Sequence, residues 1–232
     1  QGDISGILCQ LNNPPDKYIF ISTVDVYEKG SGAALEESSA LADLKNLSGE
    51  AAGYIRGKVL LEHELKDECS KRGIKGVSVR PAILYGPGNY APRESVYFEW
   101  IEKAGQIIHP QDSDGYFQML YVSDAARGIL KLCEMPSDAL NEAYNFCTDE
   151  VLTYDSFEGA LDEAYRMHDP GLEPGKAFEK INVSVNSVIN QGIPLPFPLM
   201  KAESEVYSGR LFCKLNIDAT PLAAGLGRCL DK

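Results

Sequence analysis

Tyr54 and Lys58 stand four positions apart in the run Tyr54-Ile55-Arg56-Gly57-Lys58. On an α-helix, at about 100° per residue, this spacing puts the phenol and the ammonium on one face, a turn apart. An ammonium beside a phenol favours phenolate and draws its pKa down from about 10. A tyrosine so placed can exchange a proton with a substrate hydroxyl or carbonyl. With 12 tyrosines in 232 residues, about 0.7 such pairs arise by chance, so the spacing alone proves nothing.

Upstream, the apolar run Tyr18-Ile19-Phe20-Ile21 leads into Ser22-Thr23-Val24-Asp25-Val26-Tyr27. Hydroxyls at the end of a buried parallel strand point into the crevice where α/β sheets bind ligands. In isolation the same residues read as a Ser/Thr turn. Val79-Arg80-Pro81-Ala82-Ile83-Leu84-Tyr85-Gly86-Pro87-Gly88 reads as a strand running into a Pro/Gly turn. Leu120-Tyr121-Val122-Ser123-Asp124 reads as a strand leading into a helix capped by Ser123. None of the 6 cysteines forms a C-x-x-C pair, and His63, His109 and His168 are too scattered in sequence to propose a metal.

The elements that must position these residues alternate between strand and helix, the pattern of an α/β fold. Helices are predicted at Ile4–Leu11, at Gly49–Lys71 with Gly73 as its C-cap, at Glu94–Lys103, from Ser123 to Cys133 and at Thr153–Met167. Strands are predicted at Tyr18–Ile21, Val77–Val79, Phe117–Val122 and Ala143–Phe146. Residues 28–48 read as loop. Beyond Asp169 the Pro- and Gly-rich chain, including Ile193-Pro194-Leu195-Pro196-Phe197-Pro198, reads as irregular.

Apolar residues make up 44% of the chain and charged ones 24%, enough for a packed core. The net charge of −12 argues against a broad nucleic-acid-binding face. No stretch approaches the roughly 18 apolar residues of a membrane helix. The cysteines are expected to be reduced thiols, and the location cytoplasmic.

Together and in this order, the segments around Thr23, Tyr54–Lys58, Arg80–Pro81 and Tyr121–Asp124 resemble the extended short-chain dehydrogenase/reductase family, in its branch of NAD-dependent epimerases and dehydratases. Ala143-Tyr144-Asn145-Phe146 and Thr220-Pro221-Leu222 resemble its C-terminal half. The resemblance implies a Rossmann-like doubly wound parallel sheet with a small C-terminal α/β substrate-binding part. Residues 1–85 and 117–150 would form the cofactor domain, and 86–116 and 151–232 the substrate part. By the same resemblance Tyr54 is the acid/base, Lys58 lowers its pKa and bonds the nicotinamide ribose, and Thr23 bonds the reacting oxygen. Ser22, Arg80 and Pro81 join Tyr54 and Lys58 beside NAD, or NADP; Thr23, Asp25, Tyr85 and Arg93 are expected to touch substrate. The family's chemistry moves a hydride from a sugar carbon to NAD and back to the other face.

Three departures bear on this. The family's glycine-rich dinucleotide turn has no counterpart, since Gly30-Ser31-Gly32-Ala33-Ala34-Leu35 lacks a third glycine and follows the Thr23 strand. The resemblance therefore implies a first βαβαβ half upstream, without which this chain would not hold NAD productively. Phe117-Gln118 stand where nucleotide-sugar enzymes carry Arg-Asp, and an arginine fork on a diphosphate has no aromatic substitute; Arg93 or Arg210 are candidate replacements. Val24 stands where dehydratases carry an acid beside the one at Asp25, which favours an epimerase. The expectation is thus a nucleotide-sugar epimerase acting as a homodimer through the Ile4–Leu11 and Gly49–Lys71 helices, without nucleic acid, membrane or metal. The alternatives are a carbonyl reductase of the same family, with a substrate that lacks a diphosphate, and a catalytically silent RNA-binding relative.

Overall fold

The computed structural model of the protein describes residues 2–30, 32–208 and 210–231, without the side chains of Arg210 and Cys213. In chain order the elements are α1 (Asp3–Gln10), β1 (Lys17–Ile21), α2 (Ala52–Arg72), β2 (Lys75–Pro81), β3 (Ile83–Tyr85), α3 (Glu94–Ala104), β4 (Gln106–Pro110) and β5 (Met119–Tyr121). They continue with α4 (Val122–Glu134), β6 (Ala143–Phe146), α5 (Tyr154–His168), β7 (Glu179–Val183), α6 (Val185–Gln191), α7 (Arg210–Lys214) and α8 (Leu222–Leu230). The chain divides into two compact units. The first holds residues 1–82, 125–149 and 207–217, and the second holds 83–124, 150–206 and 218–232.

The first unit is built on a parallel sheet in the order β1-β2-β6, with Ile19 opposite Val77 and Val79 opposite Tyr144. Along the central strand β2 side chains alternate between faces: Val77 and Val79 are fully buried on one, and Gly76, Ser78 and Arg80 lie on the other, towards α2. Helix α2 packs on this sheet through Leu65 and Cys69, joined by Ile4 and Leu8 of α1. Gly76 permits the approach: a Cβ there would lie 3.2 Å from both Leu65 Cγ and Cys69 Cβ. Gly73 ends α2 in the left-handed region at φ 68°, which glycine adopts at little cost. The loop at 28–48 is held over a small core of Val24, Tyr27, Leu35, Ala82, Cys147 and Tyr207. Tyr207 returns late in the chain to bridge Leu35 and to stack on Tyr27, with ring centroids 6.1 Å apart.

The second unit carries two parallel pairs, β3–β5 and β4–β7, around an aromatic core. Phe117 and Phe197 stack with centroids 4.0 Å apart, and Phe157 meets both edge-on. Thr153 caps α5 in a reciprocal capping box with Ser156.

The expectations for Ser123 and for the chain beyond Asp169 are corrected here. Residues 117–124 belong with the second unit, because Met119–Tyr121 pair with Ile83–Tyr85. Residues 207–217 belong with the first unit, where Tyr207 joins the core under the loop. Helix α4 starts at Val122, so Ser123 lies inside its first turn and does not cap it. Buried Asp124 instead accepts hydrogen bonds from Thr220 N (2.6 Å) and Thr220 Oγ1 (2.9 Å). The chain beyond Asp169 contains β7, α6, α7 and α8 as well as irregular proline-rich stretches.

Candidate active site

Strand β1 ends at Ile21, and the chain turns through Ser22-Thr23 into a short 3-10 turn at Val24–Val26. Thr23 is the N-cap of that turn: its Oγ1 accepts from Asp25 N (3.2 Å) and donates to Asp25 Oδ2 (3.1 Å). Lys29 lies 3.4 Å from the other Asp25 oxygen. Ser22 is 4% exposed, and its Oγ has no hydrogen-bond partner. A buried hydroxyl left unpaired costs about 1–3 kcal/mol.

Helix α2 brings Tyr54 and Lys58 to this strand end. Lys58 Nζ donates to the Ile21 carbonyl at 2.7 Å and lies 5.0 Å from the centre of the Phe20 ring and 5.7 Å from that of Tyr54. The Tyr54 side chain is 53% exposed, open to an incoming molecule. Burial lowers the Lys58 pKa below its ordinary value, and the Glu62 carboxylate pulls it back up in part. A lysine that is partly desolvated yet still paired is suited to acting on a neighbouring phenol.

Arg80 does not face this opening. Its guanidinium forms a two-pronged ion pair with Glu62, Nε to Oε1 at 3.0 Å and Nη2 to Oε2 at 2.6 Å, and both side chains are 6% exposed. Arg80 Nη1 also donates to Tyr27 Oη (2.8 Å) and to the Glu37 carbonyl (3.1 Å). Tyr27 Oη in turn donates to Asn145 Oδ1 at 2.6 Å. The Arg80 guanidinium is thus engaged by Glu62, Tyr27 and Glu37. Pro81 pairs with Phe146 at the end of β2 and is buried. Glu62 was missed in the sequence, although it continues the Tyr54–Lys58 spacing by another four residues.

Tyr85 and Arg93 belong to the second unit. Tyr85 is 3% exposed, tilted against Tyr121 at 5.5 Å, with its hydroxyl against Gly225, where a Cβ would lie 2.3 Å away. Burial raises its pKa well above the usual phenol range. It belongs to the aromatic core of the second unit. Arg93 Nη1 donates to the Leu84 carbonyl at 3.5 Å. The side chain of Arg210 lies outside the described residues, as does Ser31 of the Gly30–Leu35 string.

One further cluster was not legible in the scattered histidines. His109 Nδ1 lies 2.9 Å from Glu158 Oε2, and His109 Nε2 lies 3.9 Å from Asp155. Glu158 is fully buried. These are metal-ligand types in reach of one another, yet Lys180 Nζ already stands 2.7 Å from Glu158 and 3.7 Å from Asp155. A lysine ammonium thus supplies the positive charge the carboxylates need.

Residues 8–147 match the profile of the NAD dependent epimerase/dehydratase family. The chain belongs to that family. The match contains Thr23, Tyr54, Lys58 and Arg80 and ends just after β6. Among curated relatives, the chain is 25% identical over 157 residues to the chloroplast stem-loop binding protein of 41 kDa b of Arabidopsis thaliana, covering 68% of this chain and 38% of that protein. Among solved structures it resembles the UDP-glucuronic acid 4-epimerase of Bacillus cereus, in complex with UDP-glucuronic acid and NAD, at a TM-score of 0.66 and 20% identity, covering 93% of this chain and 60% of that one. It resembles the UDP-glucose 4-epimerase of Thermotoga maritima at a TM-score of 0.64 and 18% identity, covering 93% and 62%. The likeness to these solved structures establishes a Rossmann-type α/β fold. The chain spans less than two thirds of the length of each of these relatives.

Proposed function

We propose that this chain carries the proton-transfer half of an NAD(P)-dependent sugar epimerase, with Tyr54 as acid/base, Lys58 as its cationic neighbour and Thr23 as the hydroxyl that orients the reacting oxygen. The observation that carries the reading is the placement of the Lys58 ammonium, bonded to the end of β1 and 5.7 Å from the Tyr54 ring centre. The buried, unpartnered Ser22 hydroxyl beside it fits a dinucleotide, which would give it a partner. Bound NAD would supply hydride acceptance and return. Lys58 would hold its ribose, and Tyr54 would take and give back the proton of the sugar hydroxyl. Nucleotide sugars are the proposed substrates, as in the epimerases that share this fold.

A second reading, carbonyl reduction of a substrate without a diphosphate, is favoured by Phe117, which stands where a diphosphate-binding arginine is expected and is buried in the aromatic stack. The likeness to a stem-loop binding protein supports a third, RNA binding, against which stands the charge of −12. Incubation with NAD and a panel of UDP-sugars, against NAD(P)H and small ketones, separates the first two by sugar isomer formation or NAD(P)H consumption. Turnover with neither set, together with RNA retention that survives physiological salt, would overturn both in favour of the third.

A further inference from the structure

Buried ion pairs are poor sources of stability, because desolvating two charges costs about as much as their attraction returns. The Glu62–Arg80 pair, with both side chains 6% exposed, therefore calls for another explanation. Its location supplies one. Glu62 follows Lys58 by four residues and Tyr54 by eight, so all three lie along one side of α2. Arg80 lies on β2, whose register with β1 runs to Val79 opposite Ile21, the residue whose carbonyl receives Lys58. Two parallel bonds from a planar guanidinium fix both the rotation and the translation of the carboxylate they grip. The remaining Arg80 donor binds Tyr27, at the end of the turn begun by Thr23, and the loop carbonyl of Glu37.

We propose that Glu62, clamped by Arg80, is a positioning residue that locks the Tyr54–Lys58 side of α2 against the Thr23 turn and keeps a carboxylate one helical turn behind the Lys58 ammonium. The inference rests on the reading of Tyr54 and Lys58 as the catalytic pair, and it assigns Arg80 an internal role where cofactor contact was expected. The electrostatics run in the same direction, since Glu62 offsets part of the penalty that burial imposes on the charged Lys58. Arg80 also completes the turn: its guanidinium lies 4.8 Å from the Tyr27 ring centre, and Tyr27 continues the network to Asn145 on β6.

The test reads Lys58 directly and needs neither NAD nor sugar. The pH midpoint of Lys58 acylation in the 232-residue chain is measured by competitive labelling and mass spectrometry in the wild type, in Glu62→Gln and in Glu62→Met/Arg80→Met. The double variant replaces the ion pair with apolar groups of similar length, a change that folded proteins commonly tolerate, so it reports even where Glu62→Gln fails to fold. The expected result is a Lys58 midpoint lower by about half a unit or more in the double variant, with loss of turnover wherever the wild type turns over substrate. A midpoint equal to that of the wild type in a folded double variant would overturn the proposal and leave the pair a purely structural contact. Turnover by the wild-type chain would support the catalytic reading, and the Lys58 midpoint is read independently of it.

Discussion

Lys58 donates to the carbonyl of Ile21 across 2.7 Å, so one ammonium joins the last residue of β1 to the helix that carries Tyr54. The strand end and the helix face are thereby held together before any ligand arrives, and the residues on them have separable roles.

Replacing Tyr54 with phenylalanine is expected to lower turnover by about 10²–10⁴-fold, the range that loss of a positioned acid/base produces. The urea unfolding midpoint should hardly move, because the side chain is half exposed. A Tyr54→Phe variant of undiminished turnover would remove this residue from the mechanism.

Alkaline stability depends on several desolvated groups with opposite signs, Lys58, Tyr27 and Cys147 among them. Burial lowers the Lys58 pKa, so the unfolded chain holds that proton to higher pH, and the contribution of this group to stability rises with pH up to about 10.5. Burial raises Tyr27 from 10.0 and Cys147 from 9.0, each to about 12. Their contributions are complete below the unfolded values and are lost as pH climbs towards 12. Urea midpoints should therefore fall between pH 9 and 12. Cys147→Ala should reduce the part that begins near pH 9, to which Cys69 also contributes, and leave the part that begins near pH 10. An unchanged pH slope in Cys147→Ala would contradict the assignment.

Two glycines of the second unit should tolerate a methyl group very differently. A Cβ at Gly115 would lie 2.1 Å from the backbone oxygen of Pro198, where nothing flexible can yield. Gly115→Ala is expected to cost about 3 kcal/mol, the upper end for overpacking. Gly159, inside α5 with no atom within 4 Å of its Cβ direction, should gain about 0.5–1 kcal/mol as alanine. Chemical denaturation of both variants checks the contrast, and equal effects would contradict the packing at Pro198.

Helix α1 buries Ile4 and Leu8 but leaves Ile7 50% and Leu11 44% exposed. If the chain pairs through this helix, as its resemblance to the family implies, Ile7→Glu/Leu11→Glu should convert a dimer into a monomer in light scattering. A wild-type chain that is monomeric at micromolar concentration would defeat this proposal.

Much of this architecture was legible because it is encoded locally. Gly73 marks the end of α2, Ala143–Phe146 is the strand its apolar run indicates, and Thr153 caps α5. The elements that were missed depend on distant partners. Strand β7 has mostly exposed side chains, and its backbone finds its partners on β4, so no apolar run announced it. At the site, Tyr54 and Lys58 could be read from helical spacing. The direction of Arg80 could not, because it is set by Glu62 on another element and by Tyr27. Tyr85 looked like a loop-side residue for the same reason: Gly225, which makes room for it, lies at the far end of the sequence.

The late return of Tyr207 to Leu35 and Tyr27 has a consequence for biosynthesis. A chain emerging from the ribosome can pair β1 with β2 well before it makes Tyr207, so the loop that follows Tyr27 waits for a much later segment. Contacts of such wide sequence separation form slowly. Until that segment is made, the nascent polypeptide carries this loop without its Tyr207 contacts, open to chaperones and proteases. Release of an arrested chain anywhere before Tyr207 would yield Tyr54 and Lys58 without the residue that bridges Leu35 and stacks on Tyr27.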